Sequence, residues 1–238
     1  MNPHHRSIAR TLCLATALLC TAPFGHAHNV WLEADAQGGY TVQFGGHEGK
    51  LETYPAEKLQ SVDAYDLRGR KITVRTEPRP GGLRVVPERQ AALLAAHFDN
   101  GFFSKVGDGP MVNKPMNDNP GATSGVHAVK FHKTFIQWGV ISKKPLEQTF
   151  EIVALSHRTP HAGDAVQFQV LLHGQPTEGV RVSLGEKGAA QTTDAQGLVT
   201  VRPAAGSNQL LAILRQPVAG DARTTSQSYE YLLAFPAH

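Results

Sequence analysis

Twelve histidines and two cysteines set the metal chemistry open to this 238-residue chain. Both cysteines, Cys13 and Cys20, fall in the opening stretch "MNPHHRSIARTLCLATALLCTAPFGHA", residues 1–27. In that stretch Arg6 and Arg10 precede an apolar run from about Leu12 to Leu19, and Gly25 and Ala27 occupy the −3 and −1 positions of a cut before His28. This is the layout of a secretory signal, and its apolar part is too short to span a bilayer. A cut after Ala22 is a second option; lipidation at Cys20 ranks lower because Leu19, not a small residue, precedes it. Cleavage before His28 leaves 211 of the 238 residues and no thiol. Imidazole, carboxylate and the new α-amine then remain as ligands, a donor set suited to nickel, cobalt, copper or zinc.

Each histidine can be weighed against a plainer role. His28, freed by the cut, would offer its α-amine and ring Nδ1 as a chelate, and a third nitrogen would complete a T-shaped copper brace. Chain termini are usually disordered, but "VWLE" follows at once and ties His28 to apolar Trp31 and Leu32. His47 stands in "QFGGHEGK", where Gly45, Gly46 and Gly49 allow a sharp turn. Its plainer reading is an exposed turn residue, with Glu48 a solvated neighbour. His127 and His132 share one strand, and a spacing of five puts them on opposite faces. His127 lies on the apolar side with Val129, Phe131 and Phe135, where a histidine is more often a hydrogen-bonded core residue than a ligand. His132 shares its face with Lys130 and Thr134 and reads as a solvent residue. His97, beside Asp99-Asn100-Gly101, points toward a hairpin end, and His157, His161 and His173 read as surface groups.

The elements that must position these residues are strands. "GYTVQFG" (39–45), "SVDAYDLRGRKITVRTE" (61–77) and "GLRVV" (82–86) alternate between Gly, Pro and Asp turns, with "LRGRK" closing a hairpin. The alanines of 90–106 allow a helix, but Asp99-Asn100-Gly101 between aromatics predicts a hairpin turn. Residues 107–125, rich in Gly, Pro and Asn, form a long loop of the functional or mobile kind, and a strand follows over 126–140. From about Lys143 a regular series of strands and tight turns runs to "SYEYLLAF". The expected fold is therefore all-β, with two sandwich-like domains at 28–145 and 146–238, the second immunoglobulin-like or prealbumin-like. No disulfide supports either one, so ordinary cores must hold them.

Composition excludes several functions. Without Arg6 and Arg10 the 23 basic residues fall to 21 against 20 acidic ones, so the charge balance points to neither nucleic acid nor an anionic membrane. No later segment is long and apolar enough to cross a membrane. Nucleophile elbows, phosphate-binding glycine loops and zinc-protease helices are missing from the sequence, and nothing in it requires catalysis.

The residues "HNVWLE", "GGHEGK", "DNGFFSK", "GVHAVKFHKTFIQWG", "GDAVQFQVLLHGQPTEGVRVSL" and "TDAQGLVTV" together resemble the exported bacterial proteins of the DUF4198 family. Some members accompany nickel and cobalt uptake systems. The resemblance implies a periplasmic, β-rich, metal-associated protein that works with an inner-membrane transporter. It favours His28, His47 and His127 as metal ligands, because these fall inside the matching motifs. At "KFHKTF" the chain departs from the pattern, which has a small residue in place of His132. The resemblance argues for nickel or cobalt and the brace chemistry for copper. Two rivals stand beside this reading: an interaction scaffold presenting the 107–125 loop, and a copper-brace enzyme acting on a polysaccharide, which Trp31 and Trp138 alone serve poorly as a flat aromatic face.

Overall fold

The computed structural model describes residues 28–46 and 50–238. In the first half the strands are β1 (Asn29–Ala34), β2 (Tyr40–Gly45), β3 (Leu59–Tyr65), β4 (Lys71–Ile72), β5 (Val74–Arg79), β6 (Gly82–Pro87), β7 (Leu93–Lys105) and β8 (Ser124–Phe135). The second half adds β9 (Phe150–Ala154), β10 (Val166–Leu172), β11 (Gln175–Pro176), β12 (Arg181–Leu184), β13 (Gln191–Thr192), β14 (Leu198–Val201), β15 (Gly206–Pro217) and β16 (Ser226–Ala237). Helical structure among the described residues is confined to short 3-10 turns, so the all-β expectation holds. Among the described residues no helix is long and apolar enough to cross a membrane.

Three sheets make the layers. A central eight-stranded sheet runs β13-β12-β15-β16-β8-β7-β3-β4. Its pairs are antiparallel except β16 with β8, which run parallel from Ser226↔Val126 to Ala234↔Thr134. A four-stranded sheet, β1-β2-β6-β5, covers one face, and a smaller sheet centred on β10 covers the other. The expected boundary at 145/146 falls between the 3-10 turn Val140–Lys143 and β9, and the central sheet takes strands from both sides of it.

Period-two alternation places β7 of the central sheet in two cores at once. Leu94, Ala96 and Phe98 of β7 pack with Val30, Leu32, Val42, Phe44 and Tyr54. Their neighbours Leu93 and Ala95 join Val129, Phe131, Phe135, Trp138, Phe168, Tyr231 and Phe235 on the opposite side. At about 25 cal/mol per Å² of apolar area buried, aromatics of this size dominate both cores.

Local chemistry explains the tight connections. The Asp66 carboxylate accepts from the amides of Arg68 (3.0 Å) and Arg70 (2.9 Å), closing the β3–β4 hairpin that "LRGRK" predicts. The reading of residues 90–106 requires correction. Residues 90–106 form neither a helix nor a hairpin: β7 is one 13-residue strand, and Asp99-Asn100-Gly101 is a bulge within it. There Asp99 Oδ1 accepts from the Gly101 amide at 2.8 Å while Gly101 adopts φ +88°, so the extra residue is accommodated without reversing the chain. The 107–125 loop is tied down at several points. Ser104 Oγ donates to the Lys114 carbonyl (2.8 Å), Asn119 Nδ2 donates to Ser104 Oγ (3.0 Å), and the Met116 amide donates to the Arg223 carbonyl (2.9 Å).

Candidate functional site

His28 opens β1, and it is not a loose end. It continues the inward face of Val30 and Leu32, and its ring stacks on Phe44 with centroids 5.4 Å apart. Phe44 in turn stacks on Phe98 of the central sheet at 5.0 Å. His28 Nε2 meets Glu52 Oε1 at 2.9 Å, with the two side chains 34% and 42% exposed, so this donor pair is reachable from solvent.

Glu52 arrives there through the hairpin that leaves β2. The Glu52 amide donates to the Phe44 carbonyl (2.8 Å) and the Gly46 amide to the Lys50 carbonyl (3.2 Å). Gly45 permits this closure, since a Cβ there would lie 2.3 Å from the Lys50 carbonyl oxygen. A Cβ on Gly46 would lie 3.6 Å from His28 Nε2, so the backbone leading to residue 47 runs beside the His28 ring. His47 itself, with Glu48, Gly49 and the expected leader 1–27, lies outside the described residues. Sequence reasoning passed over Glu52, which reaches His28 only because the chain turns back onto the Phe44 carbonyl.

His127 sits elsewhere. It shares the Val129 and Phe131 face of β8, opposite the face that Phe98, Phe44 and His28 occupy, so the central sheet separates it from His28. Both its ring nitrogens are engaged: Nε2 with Asp99 Oδ1 at 2.9 Å and Nδ1 with Gln227 Oε1 at 3.1 Å. Gln227 Nε2 donates to the His127 carbonyl at 3.0 Å, which fixes the amide with its oxygen toward the ring. The ring also stacks on Phe102 at 4.2 Å. This is the hydrogen-bonded histidine of the plainer reading.

His132 departs furthest from expectation. The faces of β8 are as the spacing of five predicts, yet His132 is fully buried where a solvent residue was expected. The reason is β1, which lies across it: the Leu32 amide donates to His132 Nε2 at 3.2 Å. Nε2 is therefore an acceptor, the Thr134 hydroxyl donates to it at 2.6 Å, and the ring proton of the neutral form sits on Nδ1. Among the described residues Nδ1 has no hydrogen-bond partner. Burial pushes the imidazole down to about 3, against an opposing pull from the Leu232 backbone. A neutral, sealed ring of this kind anchors the strand that follows His28 and is closed to solvent metal.

His97 is not at a hairpin end; it stacks on Phe131 at 4.8 Å in mid-strand, and burial lowers its basicity against the pull of Asp99. Two buried ion pairs flank these histidines. Lys130 pairs with Glu230 on the His132 face. Lys133 Nζ meets Glu151 Oε1 at 2.5 Å on the other, with both side chains fully buried. Glu151 also accepts from the Leu146 amide at 2.6 Å and Lys133 donates to the Ile152 carbonyl at 3.1 Å, so each partner has a hydrogen bond beyond the ion pair. Among the described residues no three of His, Cys, Asp and Glu converge as a metal-holding group.

These layers and sites define an all-β, sandwich-like protein with a histidine–carboxylate pair at the tip of its first strand. Residues 25–216 match the family described as a domain of unknown function, DUF4198, and the chain belongs to that family. A Haemophilus influenzae protein described as an uncharacterized protein is 34% identical over 223 residues, covering 93% of this chain and 95% of its own length. No solved structure matches.

Proposed function

We propose that the exported, processed protein is a periplasmic binder of one divalent transition metal, held at the mature N-terminus and handed to an inner-membrane importer. The observation that carries this reading is the placement of His28. A residue expected to become a chain terminus is stacked, hydrogen-bonded and backed by β1, where an unemployed terminus would fray. Its donors fit such an ion in kind. The α-amine and imidazole of His28 and the Glu52 carboxylate are nitrogen and oxygen ligands, and the backbone beside the ring leads directly to His47. Glu52 either ligates or orients the imidazole, as carboxylates beside metal-bound histidines do. The bound ion is cargo here, and no chemical step is assigned to it. His127 is left out of the proposed set because its ring nitrogens are engaged on the other side of the central sheet. Nickel or cobalt follows from the family resemblance, copper from the amine–imidazole pair.

Calorimetry on the processed protein, with its N-terminus verified by mass spectrometry, tests the reading across nickel, cobalt, copper and zinc. About one equivalent should bind, more weakly as pH falls, because protons compete for the nitrogens. One extra residue ahead of His28 keeps every imidazole but moves the amine, and should cost at least about tenfold in affinity. Unchanged affinity after that extension removes the amine from the site, and absence of binding by the processed protein removes the function.

A further inference from the structure

Three stretches of chain leave the central sheet at one end. Tyr65, Leu93 and Phe135 stand side by side there, because Tyr65 pairs with Leu93 and Leu93 with Phe135. Beyond them lie the β3–β4 turn at 66–70, the segment 89–92 ahead of β7, and residues 136–144 after β8. These pieces touch. A Cβ on Gly139 would lie 2.8 Å from Leu67 Cδ2, and one on Gly69 would lie 3.5 Å from Lys144 Cδ and 3.8 Å from its Nζ. The Lys144 stem therefore rests on the β3–β4 turn and brings its ammonium there.

A hollow of about 390 Å³ at this end is lined by Arg68, Arg70 and Arg89, together with Asp66, Leu67 and Gln137. Asp66 organises two of the arginines. Its Oδ2 accepts from Arg70 Nε at 2.8 Å and from Arg89 Nη1 at 3.1 Å, while Oδ1 accepts the Arg68 and Arg70 amides. The Arg70 amide first, then both guanidinium groups, hold this carboxyl well below the usual carboxylate range against the opposing effect of burial. A guanidinium has several N–H donors, and Asp66 takes one from each, so the others stay available on exposed side chains. Three guanidinium groups against one carboxylate leave two positive charges in excess.

The charge continues across the Lys144 contact. Val140, Lys143, Lys144, Pro145 and His157 line a neighbouring hollow, and no carboxylate is among them. Exposed Glu88 and Glu147, close by in the chain, line neither hollow, and Asp63 is paired with Lys71. Arg68, Lys143 and Lys144 have no carboxylate partner among the described residues. Two large apolar side chains protrude amid these cations: Leu67 is 44% exposed and Val140 69%. Near-even totals of acidic and basic residues conceal this cluster, because the charges are segregated.

Guanidinium groups match phosphate oxygens in geometry, and exposed apolar side chains ringed by cations suit a surface with phosphates outside and acyl chains beneath. We propose that this end of the protein docks on an anionic phospholipid bilayer. Arg68, Arg70 and Arg89 take headgroup phosphates, Lys143 and Lys144 add attraction, and Leu67 and Val140 enter the acyl boundary. Docking here goes beyond the metal reading and does not depend on it, since neither His28 nor Glu52 belongs to this surface.

Cosedimentation tests it, with vesicles of equimolar phosphatidylglycerol and phosphatidylcholine set against phosphatidylcholine alone. The protein should bind the anionic vesicles only, and more weakly as salt is added. Arg68→Gln and Lys144→Gln should each weaken binding by about fivefold, and Val140→Ser by at least about threefold, with folding checked by circular dichroism. Arg70 and Arg89 stay in place in these variants, so Asp66 keeps its partners. Equal binding to neutral vesicles overturns the proposal, as does wild-type binding by the Arg68→Gln, Lys144→Gln double variant. Absence of vesicle binding overturns it too, and calorimetry then names the alternative. Binding of inorganic phosphate would make the hollow a site for a soluble anion; binding of poly-L-glutamate would make the surface a site for an acidic protein.

Discussion

Two histidines five residues apart on β8 meet opposite treatment. His132 is fully buried under β1, where it accepts from a backbone amide. His127 remains 22% exposed, its two nitrogens bound to Asp99 and Gln227. From the strand alone their polarity suggests the reverse, since His132 lies among Lys130 and Thr134 and His127 among Val129 and Phe131. Alternation fixes which face a residue takes. Whether that face meets water depends on a layer contributed from elsewhere in the chain, here a strand one hundred residues earlier.

The contrast can be broken most strongly at Lys133, which buries a charge on the His127 face. Lys133→Ala leaves Glu151 charged and alone in a dry core, and chemical denaturation should show a loss of about 3–5 kcal/mol. Replacing both partners, Lys133→Met with Glu151→Leu, should restore most of it; if the double variant is as unstable as the single one, the pair's cost of isolation is not the cause.

On the other face, acid should act through His132. Its folded value, about 3, lies below the unfolded reference near ~6.5, so the fold holds fewer protons than the unfolded chain between the two. The contribution is complete above pH ~6.5 and falls by up to about 1.4 kcal/mol per unit as pH drops toward ~3, amounting to about 2 kcal/mol at pH ~5. Unfolding curves of wild type and His132→Leu across this window should converge as pH falls; parallel curves would contradict the neutral, sealed imidazole. His127→Ala removes a stack and two partly exposed hydrogen bonds and should cost only about 1 kcal/mol at neutral pH by the same measurement. Smallest of all, Glu52→Gln should shift stability by less than about 0.5 kcal/mol, its partner being part-exposed, while lowering nickel affinity by about tenfold in the calorimetric assay.

Much of the fold was legible because its signals are local. The Asp66 hairpin, the strands of the second half and the face assignment on β8 all follow from turn chemistry or alternation within a few residues. Asp99-Asn100-Gly101 misled because a hairpin turn and a bulge use the same ingredients, an Asp acceptor and a glycine at positive φ. The site was half legible. His28 stood out by its position after the leader, whereas Glu52 becomes its partner only once the hairpin folds back. Lys133 carried a readable warning that went unused: it falls on the apolar parity of Val129, Phe131 and Phe135, and a lysine there requires a buried counter-charge. The parallel pairing of β8 with β16 has no local signature at all.

That pairing has a consequence for how the chain is made. β8 sits in the middle of the central sheet, yet one of its two neighbours is β16, Ser226–Ala237, whose residues pair with partners one hundred positions earlier. Until Ser226–Ala237 docks, a folding chain carries an open β-edge at β8 and a Lys130 ammonium with no Glu230 to meet it. Closure is therefore a terminal, high-contact-order event. Variants that lack β16 should expose that edge and aggregate.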